Sequence, residues 1–396
     1  MNKNSTPSIS PGLTIIMAIA CGLSVGNIYY NQPMLGIMGD SFPDHRSLVG
    51  FVPTATQLGY ALGLLLVVPL GDRFERRRLI VIQFAVLALS LAAVALAPDA
   101  WSVVIASVFV GLTSSVVQQI LPFAAELSAP HRRGATIGIV MSGLLCGILL
   151  GRAFAGVVAV HFGWRAMFWL GLMLAILVGT VLACVLPKSP PKTRASYGEL
   201  LLSLATLWRE VPQLRRATMI QACVFASFSC LWTTLALHLD ANYHLGADVA
   251  GMFGIIGAVG VLFAPFAGKI ADRRGPHFVI GLAGATVTLS WLVFGVWGSV
   301  AGLVAGVVLL DFGVQGSQVS NQHVIQALSP EARNRLNATF MSGTFLGAAA
   351  GSAAASLAWE FAGWNAVCAL GAVFAAFALG VHATGVRTAS RRSRRA

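Results

Sequence analysis

Asp311, Gln315, Gln318 and Gln322 stand at i, i+4, i+7 and i+11 of the stretch "DFGVQGSQVSNQ". A helix puts all four on one stripe, an acid followed by three amides. Such a stripe can bind and release a proton, hydrogen-bond a passing solute, or tie one helix to its neighbour. Shorter polar rows occur elsewhere. "SFSCLWTTLALH" aligns Ser227, Thr234 and His238, and "SSVVQQ" offers Ser115 and Gln118 with Gln119 adjacent. In "GNIYYNQPML", Asn27 and Asn31 line up with Ser24, and Tyr30 borders them. Pro33 is expected to loosen the helix beyond it. A lone guanidinium, Arg152, interrupts the apolar run "GILLGRAFAG".

The elements that carry these rows are too apolar for a soluble protein. The chain is 57% hydrophobic and only 10% charged, against roughly 25% charged in soluble domains. Apolar stretches long enough to cross a ~30 Å hydrocarbon core recur along it. They cover about 14–38, 48–70, 79–97, 101–123, 136–160, 164–186, 217–239, 247–267, 277–297, 300–323, 336–358 and 364–385. Alternating ten-residue segments of the kind that build a barrel are missing. The fold class is therefore an all-α integral membrane protein with twelve transmembrane helices.

The net charge of +12 does not mark a nucleic-acid partner. With the N-terminus in the cytoplasm and alternating spans, all but three of the 26 Lys and Arg fall on the cytoplasmic side. Arg46 and Arg165 face outward, and Arg152 lies within a span. This asymmetry orients the chain with both termini and the 187–216 linker cytoplasmic, in a plasma membrane such as the bacterial inner membrane. The tail "RRSRRA" serves as a topology signal or touches anionic lipid. The six Cys lie in apolar segments without metal spacing and read as small buried packing residues. His131, His161, His277, His323 and His382 fall at span ends, where solvation is expected. The sequons at Asn4 and Asn337 are cytoplasmic and unused. The first apolar run lacks a basic n-region and a clear cleavage site, so it is a retained helix.

The sequence repeats at an offset of 200. Asp72-Arg73 returns as Asp272-Arg273, Pro130 as Pro330, Arg133 as Arg333, "MSG" at 141–143 as "MSG" at 341–343, Gly147 and Gly151 as Gly347 and Gly351, and "GW" at 163–164 as "GW" at 363–364. The chain thus divides into a six-span half over 1–186, a linker over 187–216 and a second half with a basic tail over 217–396. The linker contains "YGELLLSLATLW", an interfacial helix by composition. Six-span repeats are a transporter construction, with the substrate between the halves. No P-loop or Cys/His metal cluster occurs, so neither an enzyme, nor ATP-driven transport, nor a cofactor is expected.

The second half carries "GKIADRRG", Gly268 to Gly275, after its second span. This resembles the cytoplasmic loop signature of the major facilitator superfamily, G-x-[LI]-a-D-R-x-G. Twelve spans, the repeat and a signature loop in each half extend the resemblance over the whole chain. The first copy, "VPLGDRFERRR", keeps Asp72, Arg73, Arg76 and Arg77 but has Val68 and Glu75 where the glycines belong. "YYNQPML" is similar to a bacterial branch described as drug or sugar efflux permeases. Two departures bear on coupling: Ser107 stands where an Arg often precedes Gly111, and Arg152 replaces the Pro of the span-five pattern.

The resemblance implies that spans one, four, seven and ten line a central cavity. It also implies that the loop residues Asp72, Arg73, Arg76, Gly268, Asp272, Arg273 and Gly275 gate the cytoplasmic side. Asp72 would meet the start of span eleven near Asn337, and Asp272 the start of span five, each at the positive end of a helix dipole. The expected activity is secondary transport of a small organic compound by a monomer, with protons and membrane lipids as the other partners. Proton-driven efflux is favoured; proton-coupled uptake and a transport-dead receptor are the alternatives. Asp311 is the proton-responsive candidate. At ~1.5 Å per residue, Arg152 and Asp311 lie roughly 24 and 18 Å above the cytoplasmic face, close enough in depth for an ion pair. Arg152 could instead bind an anionic substrate or snorkel outward.

Overall fold

The computed structural model describes residues 9–191, 196–262, 264–329 and 332–393, with side chains at all of these save 258–262, 264–265 and 386–393. The Asn4 sequon, Lys3, Pro330, Lys192, Arg194 and the last three residues of the tail lie outside the described residues. All described elements are helices. They form two compact units, Met1–Leu201 and Leu202–Ala396, which divide inside the linker helix Tyr197–Glu210.

Among the described residues the helices trace twelve spans. The first half holds Pro11–Asp40, Pro43–Arg73, Arg76–Leu96, Ala100–Leu127, Arg133–Phe162 and Trp164–Val185. The second holds Pro212–Tyr243, then Ala247–Leu262 and Ala264–Arg274 as the two parts of span eight, then Pro276–Val296 and Val300–Gln326. Spans eleven and twelve run through Arg333–Ser393, broken at Ala362 and Gly363. Gly363 takes φ +60 and its repeat partner Gly163 takes φ +79, a region where a side chain would be strained. The recurrent "GW" is therefore a turn between two spans. Asp99 and Ser299, also 200 apart, cap spans four and ten by accepting from the N–H of Ser102 and Gly302.

Other repeated residues are explained by backbone contact. In the first half, spans one and five meet through Ala18 and Gly22 against Gly143 and Gly147. A Cβ on Gly22 would lie 2.5 Å from the Gly143 carbonyl oxygen. In the second half, Gly343, Gly347 and Gly351 of span eleven press on Thr218, Ala222 and Ala226 of span seven. Each partner is shifted by 200. Small residues let membrane helices approach until dispersion contacts become dense, which replaces the hydrophobic drive that lipid removes.

The position of the break in span one differs from expectation. Residues 27–30 form turns between helices Pro11–Gly26 and Asn31–Asp40, so the irregularity precedes Pro33. The reason is that a proline disturbs the preceding turn: it lacks an N–H and its ring crowds the carbonyl four residues back, here that of Tyr29. Span two is irregular as well. Gly63–Val67 is a π-helical turn, with Val68 N–H bonded to Gly63 O at 3.0 Å, and Pro69 follows. The expected burial of cysteines holds for Cys21, Cys230 and Cys368, whereas Cys146 and Cys184 are exposed on helix surfaces. His382 is not solvated: it is buried against Gly281 and 6.0 Å from the His277 ring.

Candidate functional site

In the first half the charged residue of span five is held by span one. Arg152 is 3% exposed, and its Nε donates to Gln32 Oε1 at 2.9 Å. Its guanidinium carbon lies 4.5 Å from the centre of the Tyr29 ring. A cation over an aromatic face is stabilised by about 0.5–2 kcal/mol, more when water is excluded. The turn at 27–30 sets Tyr29 and Gln32 toward Arg152. Tyr30 is turned elsewhere, into the space left by Gly26, Gly151 and Gly171.

The other polar groups of span one bond within the half. Asn27 Nδ2 donates to Leu23 O at 2.7 Å, and its Oδ1 faces Gly171 in span six. That oxygen is buried without a hydrogen bond beside a crevice lined by Leu23, Tyr30, Phe84, Leu87 and Leu174. Asn31 Nδ2 donates to Thr56 Oγ1 in span two at 2.8 Å, and Ser24 Oγ to Ser114 O in span four at 3.2 Å. In span four, Ser115 is buried, with its Oγ donating to Leu112 O and accepting from Gln83. Gln118 Nε2 donates to Tyr60 Oη at 3.3 Å.

In the second half Asp311 is buried. A Cβ on Gly257 would come 2.9 Å from Asp311 Oδ2 and 3.4 Å from the Trp232 ring, so the carboxylate sits beside a glycine of span eight and an indole of span seven. Its counterpart 200 residues earlier is Gly111, which packs directly on the Thr56 backbone. Gln315 is half-buried, Gln318 Nε2 donates weakly to Met341 Sδ at 3.3 Å, and Gln322 Nε2 donates to Asn337 Oδ1 at 3.0 Å. A second polar face escaped the stripe: Ser317 Oγ donates to Gln221 Oε1 at 2.7 Å, and Asn321 Nδ2 to Ser317 Oγ at 3.1 Å. Thr234 donates to its own helix at Cys230 O. His238 stacks on Trp364 at 3.8 Å and accepts at Nδ1 from Asn242.

Arg76 is the centre of the first signature loop. It is buried, and it donates to Glu126 Oε2 at 2.8 Å, to Asp72 Oδ1 at 3.3 Å and to Gly71 O. Arg77 donates to Ala183 O in span six, and Arg73 lies 5.9 Å from the Phe74 ring. In the second loop, Asp272 and Arg273 are exposed at the end of Ala264–Arg274, Gly268 has open space around it, and Gly275 takes φ +86. The broken end of span two is also tied. Gln119 Nε2 donates to Val67 O and Val68 O, and Tyr197 Oη of the linker helix donates to Leu66 O at 2.7 Å. Partial burial lifts the Tyr197 phenol above its ordinary value, so it stays a donor.

Tyr29, Gln32, Glu126 and Gln221 were not singled out from the sequence. Each is 50 to 123 residues from the group it serves. The one available signal was a polar residue in an apolar run, which gives no partner.

The family model described as Major Facilitator Superfamily matches residues 17–278 and 217–395. The chain is 41% identical over 373 residues to the uncharacterized transporter YgaY of Escherichia coli O157:H7, covering 93% of this chain and 94% of that protein. It is 33% identical over 378 residues to the "Probable transporter SCO4007" of Streptomyces coelicolor, covering 94% of this chain and 87% of that protein. Among solved structures it is similar to the peptide transporter POT in complex with sulfate, with a TM-score of 0.75 over 98% of this chain and 97% of that one. The identity there is 15%, a likeness of fold.

Proposed function

The chain belongs to the major facilitator superfamily, and from that premise we propose that this multi-pass membrane transporter exports a small organic compound in exchange for protons moving inward. The observation that carries the coupling is Asp311. Among the described residues it is the one buried acid, and it occupies a position that the first half fills with a glycine. An ionisable group inside a span is expensive, and its persistence points to proton or substrate handling. Efflux is the direction favoured by the likeness of "YYNQPML" to export permeases.

In this reading the polar rows of spans one, four, seven and ten face the solute, and the Asp72 and Asp272 loops hold the cytoplasmic side shut. Arg152 and Asp311 form a charge pair that loosens when Asp311 takes a proton. The monomer is the working unit, with both termini in the cytoplasm of a bacterial inner membrane.

The test is proton flux in proteoliposomes screened against a set of small organic compounds. A substrate should drive proton movement opposite to its own; movement in the same direction would assign uptake instead. Asp311→Asn should retain exchange of substrate across the membrane but lose accumulation against a gradient. Undiminished pH-driven accumulation by that variant would remove Asp311 from the mechanism.

A further inference from the structure

The proposed transport reading leaves the substrate unnamed, and the surroundings of Arg152 narrow it. A guanidinium inside a span could be merely accommodated by any acceptor. Here it is aligned on two sides. Gln32 Oε1 engages Nε, which fixes the rotation of the guanidinium plane, and the Tyr29 ring supports its face. Alignment of this kind leaves the terminal nitrogen edge with a defined direction, and two parallel N–H groups on that edge match the two oxygens of a carboxylate.

A second donor lies on the same amide. Gln32 is 2% exposed, and its Nε2 is buried with no hydrogen-bond partner. The amide cannot be reversed to relieve this, because its NH2 would then face the Arg152 Nε–H, donor against donor. An unsatisfied buried donor next to an aligned cation is an arrangement suited to an anion.

We propose that Arg152, with Gln32 and Tyr29, is the subsite that recognises the carboxylate of a monoanionic organic substrate. The carboxylate would engage the terminal edge of Arg152 and would accept from Gln32 Nε2. A single buried guanidinium balances one negative charge. A dianion such as phosphate would leave net charge in a water-poor site, so monocarboxylates are preferred. The proposal rests on the transport reading and gives the Arg152 half of its charge pair a second role, with the substrate carboxylate taking the guanidinium when Asp311 is protonated.

The experiment uses the full-length protein in detergent. Thermal unfolding is followed against hexanoate, benzoate, phenylacetate and lactate, each beside its neutral amide, with inorganic phosphate as the dianion. At least one carboxylate should give a saturable rise in melting midpoint that its amide does not match. Arg152→Gln should weaken that carboxylate at least tenfold. Gln32→Glu is the second variant, since it places a carboxylate beside Arg152, keeps the fold, and should block added carboxylates from within. The proposal is overturned if no carboxylate in the set binds, if amides or phosphate bind as tightly, or if Gln32→Glu binds carboxylates like the parent. Proton flux separates the two readings. Carboxylate binding without proton-linked flux leaves the subsite standing and removes the coupling; Asp311-dependent flux of neutral compounds alone does the reverse.

Discussion

Gly138, Gly147 and Gly347 offer a comparison in which one substitution should have opposite signs. Alanine at Gly138 meets nothing within 4 Å, so only the backbone effect remains. Removing a glycine from a helix interior stabilises by about 0.5–1 kcal/mol. Alanine at Gly147 would instead drive its Cβ into the Gly22 backbone, and alanine at Gly347 into the Ala222 carbonyl. Neither obstacle is a side chain that can rotate away. Spans one and five, or seven and eleven, must separate, and forcing such overlap costs about 1–3 kcal/mol. The loss of close dispersion contact along the seam adds to this. The propensity gain is common to all three variants and cancels, so the gap between Gly138→Ala and either seam variant should be about 1–3 kcal/mol. Tryptophan fluorescence during heating in one detergent reads the order directly. Gly138→Ala should melt at or above the parent, and Gly147→Ala and Gly347→Ala several degrees below it. Seam variants as stable as Gly138→Ala would refute the close-contact argument in that half.

Three further outcomes are expected. Arg152→Asp and Asp311→Arg should each abolish transport while the double exchange restores part of it; a double variant as inactive as the singles, with Arg152→Lys fully active, would remove the charge pair. On a background without native cysteines, Cys at 244 should label only from outside and Cys at 192 only from inside, and the reverse would overturn the orientation. Trp291 donates to Ser227 Oγ at 2.6 Å and fills the space beside Gly371, whereas Leu91 leaves the Asn27 oxygen beside Gly171 without a donor. Leu91→Trp should therefore raise the melting midpoint, and a fall would mean that the crevice cannot admit an indole.

The spans were legible in the sequence because length and hydropathy report the bilayer directly. The repeat was legible too, and its glycines proved to be helix contacts because backbone approach constrains residue size at fixed spacing. The burial of Asp311 was legible as well, since an acid in an apolar run is visible without coordinates. It did not find the partners. Tyr29 and Gln32 face Arg152 only because of the turn at 27–30, and no one-dimensional spacing encodes a turn inside a span. The Ser317 and Asn321 face was passed over for a similar reason: two polar faces on one helix are equally regular, and only the neighbouring Gln221 distinguishes them. Pro33 signalled a break correctly, but the disturbance falls on the side of the carbonyl it crowds.

The π turn at Gly63–Val67 has a consequence for the loop beyond it. It winds one residue more than an α turn, and the carbonyls of Leu66, Val67 and Val68 accept from outside the helix, from Tyr197 and Gln119. If those two donors let go, the surplus residue can pass along the helix instead of requiring it to unwind. Each such step re-seats only the residue it passes, turning it by about 100° and shifting it by about 1.5 Å along the axis. Asp72 lies a few residues downstream. Span two thus carries a ratchet tooth at its Asp72 end, by which a small exchange of hydrogen bonds can re-aim a carboxylate through a quarter circle while the rest of the helix stays in place.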